Sequence, residues 1–327
     1  LGHYLPELRG TNKERLSIRS ILAHHAALKP WIPFYAATLN EKGTRSSEFY
    51  RSSASGDYQV QVSQNIYMHE TYVDSIWYRI DQSDLRANNN YRYSDLGFYY
   101  LAKVVAQLSG QSLDNYVRDR FYQPLGLFNI DFNPRARFST SRIPPSEMDN
   151  YWRKQKVHAY VHDMGAAMLG GVSGHAGLFG NAHDLAIIGQ LWLQRGIYGN
   201  NVYLNPDIVR EFSSRYPNAT RRGLGFDMKQ LNPDRQQNVS PLAGPKVFGH
   251  TGFTGTCIWA DPAEELVYVF LSNRTYPSMR NNKLGRMDIR PKIQTAVYRS
   301  ITRPASRPPA SVIEPMALPE RIHADGS

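Results

Sequence analysis

The spacing of apolar residues changes along this 327-residue chain, and the change limits the folds that it can adopt. Up to about residue 240 the main apolar runs repeat with helical spacing. Beyond that point, aromatic and β-branched runs over 247–259 and 265–273 are joined by Asp261-Pro262, which is typical of a β-hairpin. An amphipathic stretch over 289–301 predicts a closing helix. The helical runs are 11–22, 94–108, 114–122, 184–193 and 206–213.

Helices followed by a hairpin and a further helix indicate an α+β fold with a large helical insertion. We predict one domain over 1–301, helical at about 20–240 and sheet-forming at about 245–301. The stretch 40–66 is rich in Ser, Gly and Asn and predicts an irregular surface excursion. The proline-rich residues 302–327 lack an apolar period and predict a disordered tail or linker.

Composition excludes several classes of protein. Lysine and arginine exceed aspartate and glutamate by 38 − 28 = 10, yet they are scattered, and the densest basic group is the pair Arg221-Arg222. Nucleic-acid binding is therefore not predicted, whereas an acidic polymer such as peptidoglycan remains compatible. The single cysteine, Cys257, excludes an internal disulfide framework and a metal site made of several thiolates. The sequence has no run of about 18 apolar residues that could cross a bilayer.

Tyr93-Ser94-Asp95 stands where a polar, asparagine-rich loop turns into a helix, which places Tyr93 near a helix N-terminus. A phenol has an ordinary pKa of about 10. Tyr93 could therefore act as a base near neutral pH only if neighbouring cations favoured the phenolate. The alternative is that Ser94 or Asp95 does no more than cap the helix.

A second motif, His250-Thr251-Gly252, is followed by Phe253-Thr254-Gly255-Thr256 and is predicted to open a strand. A strand edge with small residues lets a substrate backbone lie alongside and accept main-chain hydrogen bonds, which can supply an oxyanion donor. The alternative is an ordinary strand with a glycine bulge.

Together, and in this order, the two motifs resemble the Tyr-x-Asn and Lys-Thr-Gly elements of the class C β-lactamase and DD-peptidase superfamily. The resemblance covers about residues 3–301 and extends to Leu5–His25, Gly174–Gly180 and Gly223–Phe226. It implies an antiparallel sheet flanked by helices, and a serine acyl-hydrolase that needs no metal or other cofactor. Tyr93 and His250 would be its catalytic residues. The implied substrate-binding residues are Ser94, Asp95, His162, His175, Thr251, Gly252, Thr254 and Gly255.

Three departures from the superfamily pattern bear on activity. No serine has a lysine three residues later, so the Ser-x-x-Lys nucleophile and the first sheet strands are expected upstream of Leu1, in a longer protein. Asp95 replaces asparagine, which exchanges an amide donor for a carboxylate that only accepts hydrogen bonds. His250 replaces lysine, and we expect it to titrate near neutral pH and to donate to the tyrosine or to a carboxylate. These departures argue against turnover of penicillin.

A narrower resemblance is to the superfamily members that accompany a family 3 β-N-acetylglucosaminidase, some of which are exo-acting N-acetylmuramoyl-L-alanine amidases. It rests on Tyr91–Phe98, Val161-His162-Asp163 and Asp288–Lys292. It implies muropeptides as partners, a fused or paired glucosaminidase domain, and a periplasmic or cell-envelope location. The alternatives are a DD-carboxypeptidase, esterase or β-lactamase of the same superfamily, or a muropeptide-binding domain without catalysis.

Two further patterns have competing interpretations. His158 and His162 would share one face of a helix and could hold a metal, but a hydrogen-bonding wall of the active site is the preferred prediction. The glycine-rich run 170–177 could cradle a phosphate. No Gly-Lys-Ser/Thr follows it, so we predict a tight, shaped loop instead.

Overall fold

A computed structural model describes residues 1–219 and 221–301 of the chain. Its α-helices are α1 (Ile18–Leu22), α2 (Thr71–Asp81), α3 (Leu96–Ser109), α4 (Leu113–Val117), α5 (Met164–Met168), α6 (Ala182–Leu193), α7 (Pro206–Phe212), α8 (Lys283–Arg286) and α9 (Ile289–Ser300). Its strands are β1 (Tyr50–Arg51), β2 (Val60–Ser63), β3 (Ile66–Met68), β4 (Asp131–Phe132), β5 (Pro145–Asp149), β6 (Gln155–His158), β7 (Leu178–Phe179), β8 (Ile197–Tyr198), β9 (Asn201–Val202), β10 (Asp227–Met228), β11 (Phe248–Thr251), β12 (Cys257–Asp261) and β13 (Leu266–Phe270).

Four of the predicted helical runs are confirmed within a few residues, as α3, α6, α7 and α9. The run 114–122 forms α4, which continues as a π-helical turn over Arg118–Tyr122. Each of these runs carries an apolar face long enough to pack, and α3 ends at Gly110, whose φ of 70° lies in the left-handed region.

The helix predicted over 11–22 is wrong in its first half, because α1 begins only at Ile18, where Ser17 accepts the Ser20 N–H. The preceding turns bury the side chain of Lys13 completely. Its ammonium donates to the carbonyls of Asp81 and Ser83. A buried ammonium needs such acceptors, and the chain bends to reach them instead of extending the helix.

A four-stranded antiparallel sheet has the order β10-β11-β12-β13, and it confirms the predicted sheet at the end of the chain. The run 247–259 is two strands rather than one, since the chain reverses between Thr251 and Cys257. Side chains of β12 alternate between the two faces. Cys257 and Trp259 pack in the same apolar cluster as Tyr298 of α9, whereas Ile258 faces Gly189 of α6. Helices therefore cover both faces of the sheet.

The stretch 40–66, predicted to be irregular, contributes to a small three-stranded sheet of order β1-β3-β2. Tyr50, Val62 and Ile66 bury their side chains in the main core, which explains how strands form in a segment with few aliphatic residues. The main core itself joins α1, α2, α3 and α5 through residues such as Ile76 and Tyr99.

Among the described residues, no helix has the length and apolar character needed to cross a membrane. The predicted tail 302–327 lies outside the described residues.

Candidate active site

A cleft of about 1530 Å³ lies between the helical part and the four-stranded sheet. Its lining draws on the start of α3, the segment before α5, the glycine-rich loop and the end of β11. Of the ten site residues predicted from the sequence, eight line this cleft, and Ser94 and Gly255 do not. The eight are Tyr93, Asp95, His162, His175, His250, Thr251, Gly252 and Thr254.

Tyr93, Ser94 and Asp95 immediately precede α3, as predicted. The capping alternative is wrong, because no side chain caps this helix. Ser94 is buried and donates through its hydroxyl to the carbonyl of Lys29 at 2.6 Å. The Asp95 N–H donates to the carbonyl of Pro30 at 3.0 Å. Two backbone anchors thus fix the tripeptide and leave the side chains of Tyr93 and Asp95 facing the cleft.

Tyr93 is a neutral phenol in this chain. Its ring stacks on His24, with centroids 4.2 Å apart. Burial and the negative charge of Asp95 raise the pKa of Tyr93 to about 12, against the opposing effect of the Arg222 guanidinium. The phenolate that base catalysis requires therefore needs a further cation beside Tyr93.

His24 is held neutral behind Tyr93. Burial, and then the positive charge of Arg222, lower the pKa of His24 to about 3. Its Nδ1 accepts the Ser94 N–H at 3.2 Å, so the ring acts as an acceptor for the backbone of the motif.

Asp95 has no side-chain hydrogen bond to any other described residue, although it is only partly exposed. Burial and the neighbouring charge of Asp163 raise the pKa of Asp95 to about 6, against the opposing effect of His175. This carboxyl group is therefore poised to exchange a proton in the cleft.

His250 does not behave as predicted from the sequence. Its Nε2 lies 3.0 Å from Nη1 of Arg222, which can only donate, so Nε2 accepts. Its Nδ1 then carries the hydrogen and donates to the carbonyl of Thr251 at 2.8 Å. Burial and the charge of Arg222 lower the pKa of His250. The expectation that it titrates near neutral pH and donates to a tyrosine or carboxylate is wrong, because both nitrogens are already engaged.

The motif His250-Thr251-Gly252 ends a strand instead of opening one. Residues 252–256 form the turn between β11 and β12, in which the Gly252 N–H donates to the carbonyl of Thr256. β10 pairs only with Phe248 and Gly249, so no described strand covers 250–251 on that side. The predicted edge for a substrate backbone is thus confined to these two residues.

A chain of three polar side chains supports the opposite wall of the cleft. Ser173 Oγ lies 2.9 Å from Nδ1 of His175, and Nε2 of His175 lies 2.8 Å from Oδ1 of Asp163. Asp163 also accepts the Ala166 N–H and so caps α5. Burial alone would raise the pKa of Asp163, but these hydrogen bonds and the charge of His175 lower it.

His158 ends β6 and His162 lies in a bend before α5, so the helical spacing proposed for His158 and His162 is wrong. The described residues contain no cluster of His, Cys, Asp and Glu that could hold a metal ion. Nε2 of His162 is 3.1 Å from a Glu147 carboxylate oxygen, but it is not aligned for a hydrogen bond. The ring lies 5.4 Å from that of Phe253, so His162 belongs to the wall of the cleft.

The segment that carries His162 is fixed by a buried arginine. Arg153 pairs with Asp149 at 3.0 Å and donates to the carbonyls of Val161 and His162. Both charged side chains are fully buried. Removal of either partner would leave an uncompensated charge in the core.

Four residues that define the site were not assigned a role from the sequence: His24, Tyr91, Asp163 and Arg222. Three of them lie in stretches that carry the family resemblance, and that resemblance could have pointed to them as site residues. Arg222 stood out only as part of a basic pair, and nothing in the sequence indicated that this residue is 97% buried, with its guanidinium beside Tyr93 and His250.

Comparison with known proteins identifies the family of this chain and supports its fold. A family model described as Beta-lactamase matches residues 1–289. A Salmonella schwarzengrund protein named "Putative D-alanyl-D-alanine carboxypeptidase" is 35% identical in an alignment of 205 residues, which covers 59% of this chain and 47% of that protein. The chain therefore spans about half the length of the curated relatives that it matches.

Two solved structures share the fold at low sequence identity. Simvastatin synthase (LovD) from Aspergillus terreus superposes with a TM-score of 0.60 at 14% identity, over 93% of this chain and 78% of that one. A penicillin-binding protein homolog from Caulobacter crescentus superposes with a TM-score of 0.54 at 14% identity, over 83% and 69%.

Proposed function

Since the chain belongs to the β-lactamase family of serine hydrolases, we propose that the complete protein cleaves an amide bond in peptidoglycan fragments. The observation that carries this proposal is the convergence of Tyr93 and the motif at His250 on one cleft, although the two are far apart in the sequence. Tyr93 supplies a phenol just before the start of α3, and His250 and Thr251 supply a backbone edge in the same cleft.

Acyl transfer needs a nucleophile, a proton carrier and an oxyanion donor. In the proposed reaction, the hydroxyl of a serine upstream of Leu1 adds to the amide carbonyl carbon while its proton passes to the Tyr93 phenolate, which the neighbouring lysine cation would stabilise. The carbon–nitrogen bond then breaks as the Tyr93 O–H protonates the leaving nitrogen. Water hydrolyses the acyl-enzyme. The cation that Tyr93 lacks would be that lysine, and Asp95 would face the lysine and hold it charged.

The aromatic rim of the cleft supports a substrate that carries a sugar or a peptide. Exposed aromatic side chains at its rim, Trp31, Tyr91 and Phe253, offer flat surfaces to a sugar or peptide. We propose muropeptides as substrates, a family 3 glucosaminidase as the fused or paired partner, and the periplasm or cell envelope as the location.

We propose the bond between the lactyl group and L-alanine as the scissile amide, on the basis of the narrower resemblance of Tyr91–Phe98 and the segment around His162. The second candidate is release of terminal D-alanine, which the name of the Salmonella relative favours.

Mass spectrometry of a digest separates these reactions. The complete protein, incubated with N-acetylmuramoyl-peptides, is expected to release the free peptide faster than it releases D-alanine or hydrolyses nitrocefin. A product shortened only by D-alanine would make the protein a carboxypeptidase. An unchanged substrate would favour a muropeptide-binding domain without catalysis.

A tyrosine variant tests the assignment of the proton carrier. Tyr93→Phe is expected to lower kcat by about 10²–10⁴ because it removes the group that protonates the leaving nitrogen. Tyr78→Phe is a matched control, since Tyr78 is an exposed tyrosine on α2 and does not line the cleft. Equal activity of the two variants would remove Tyr93 from the mechanism.

A further inference from the structure

A second pocket, of about 350 Å³, lies apart from the cleft, and no described residue lines both. It forms where the segment around β1 meets the turn between β2 and β3 and the residue just before β6. The residues that line it are Thr44, Arg45, Ser46, Ser47, Tyr50, Arg51, Ser52, Asn65, Ile66 and Lys154. We propose that this pocket binds a dianionic phosphate group, as free phosphate or as a phosphate monoester, and that Arg45, Arg51 and Lys154 hold it.

The pocket carries positive charge that the chain does not balance. Of the ten described residues that line it, three are basic and none is acidic. None of the three cations forms an ion pair with a described residue, because their hydrogen bonds go to neutral carbonyls. Asp149 acts on the charge of Arg45, but this carboxylate is paired with Arg153 at 3.0 Å. Three like charges around one pocket favour an anion inside it.

Arg45 is held against the main chain next to Lys154. Its Nη1 donates to the carbonyls of Trp152 and Arg153, at 2.8 and 2.7 Å. Its Nε and Nη2 have no hydrogen-bond partner among the described residues, so one side of the guanidinium keeps its donors. The side chain is half-buried, and burial lowers the pKa of Arg45. Its charge is therefore only partly hydrated, and an anion would compensate it.

Arg51 and Lys154 are exposed, so a ligand from solvent can reach them. Nη1 of Arg51 donates to the carbonyls of Ser47 and Tyr50. Nζ of Lys154 donates to the carbonyl of Asn150 at 2.5 Å. These contacts restrain both side chains and still leave N–H donors free on each, since a guanidinium has five and an ammonium three.

Ser47 and Ser52 add neutral donors to the pocket. Neither hydroxyl has a hydrogen bond with another described residue, and both residues line the pocket. A phosphate monoester carries close to two negative charges at neutral pH and three strong acceptor oxygens. Guanidinium groups bind such oxygens in pairs, and an ammonium binds them as a point charge. A carboxylate offers a single charge and two oxygens, so phosphate fits this set of donors better.

Binding of small anions tests the site directly. We would titrate the 327-residue chain at constant ionic strength with inorganic phosphate, glycerol 3-phosphate, dimethyl phosphate and acetate, and follow the NMR signals of the arginine Nε–H groups. Phosphate is expected to shift the signals of Arg45 and Arg51 and to bind about tenfold more tightly than acetate. Dimethyl phosphate, a monoanion, should bind as weakly as acetate. Glycerol 3-phosphate separates the two sources, because tighter binding than phosphate indicates a monoester and weaker binding indicates the free ion.

Variants separate a built site from general attraction to a basic protein. Arg51→Gln and Lys154→Gln should each weaken phosphate binding about threefold. Lys156→Gln is the matched control, because Lys156 is an exposed lysine two residues away that does not line the pocket, and it should bind phosphate like the parent.

Three results would each overturn the proposal: no saturable shift with phosphate, equal affinity for phosphate and acetate, or equal losses in Lys154→Gln and Lys156→Gln. Phosphate-induced shifts confined to residues of the cleft would also overturn it. Because no described residue lines both pockets, none of these outcomes bears on the proposed function.

Discussion

Asp95 and Asp163 are two carboxyl groups on the cleft whose surroundings shift their pKa values in opposite directions. Asp163 receives hydrogen bonds from His175 and from a helix N-terminus, which lower its pKa despite burial. Asp95 receives none from the described chain, and burial together with the charge of Asp163 raises its pKa to about 6. Such divergence between neighbouring groups is typical of sites that move protons.

The raised pKa of Asp95 has a consequence for stability that Asp95→Asn should remove. The folded chain keeps this proton up to a pH of about 6, whereas the unfolded chain releases it near the ordinary value of 3.8. The unfolded state then binds fewer protons in that window, so the free energy of unfolding falls as pH rises from about 4 to about 6. We expect the variant to be more stable than the parent by on the order of 1–3 kcal/mol above pH 6 and by less near pH 4.

Urea denaturation at the two pH values measures this difference. Asp234→Asn is the matched control, because Asp234 is exposed and its variant should follow the parent at both pH values. Parallel pH dependence of the parent and Asp95→Asn would contradict the prediction.

At the scale of elements, the glycine-rich loop before α6 positions His175. The prediction of a tight loop is confirmed by positive φ values at Gly170, Gly171 and Gly177. Gly177 has φ of +123°, and a Cβ there would stand 2.3 Å from the carbonyl oxygen of Gly171. The loop closes on itself too tightly for any side chain at this position.

Alanine substitutions at two glycines should separate backbone strain from steric conflict. Gly43 has φ of +68° and open space around it, so Gly43→Ala should cost about 1 kcal/mol of unfolding free energy. Gly177→Ala adds the conflict with a backbone oxygen, and its cost should be roughly 3 kcal/mol. Chemical denaturation of both variants compares the two, and equal losses would mean that the loop relaxes freely.

At the scale of the whole molecule, the 327 residues contain no Ser-x-x-Lys sequence. None of the ten lysines follows a serine by three residues, so we expect the chain to form no acyl-enzyme. Incubation with a fluorescent penicillin or fluorophosphonate, followed by a denaturing gel, should show no stoichiometric band, while the complete protein serves as the positive control. A band that unlabelled penicillin blocks would place a nucleophile within these 327 residues.

The sequence by itself determined the α+β class, the main helices of the insertion, the terminal sheet and eight residues of the cleft. The fold is the β-lactamase and DD-peptidase type that the two motifs predicted. These features were readable because apolar periodicity and short motifs are local properties of the chain. The same locality explains the errors. The helix predicted over 11–22 does not form in its first half because Lys13 donates to the carbonyls of Asp81 and Ser83, which are distant in the sequence.

Only the tertiary structure decided which groups in the cleft are free to act. His250 was predicted as a donor that titrates near neutral pH, and it became a fixed neutral ring because folding brings Arg222 to its Nε2 from 28 positions away. Arg222 is part of the site only because folding buries it next to Tyr91. Protonation state and hydrogen-bond direction depend on what lies within a few ångströms in space, and a sequence pattern carries no such distance for residues that are far apart along the chain.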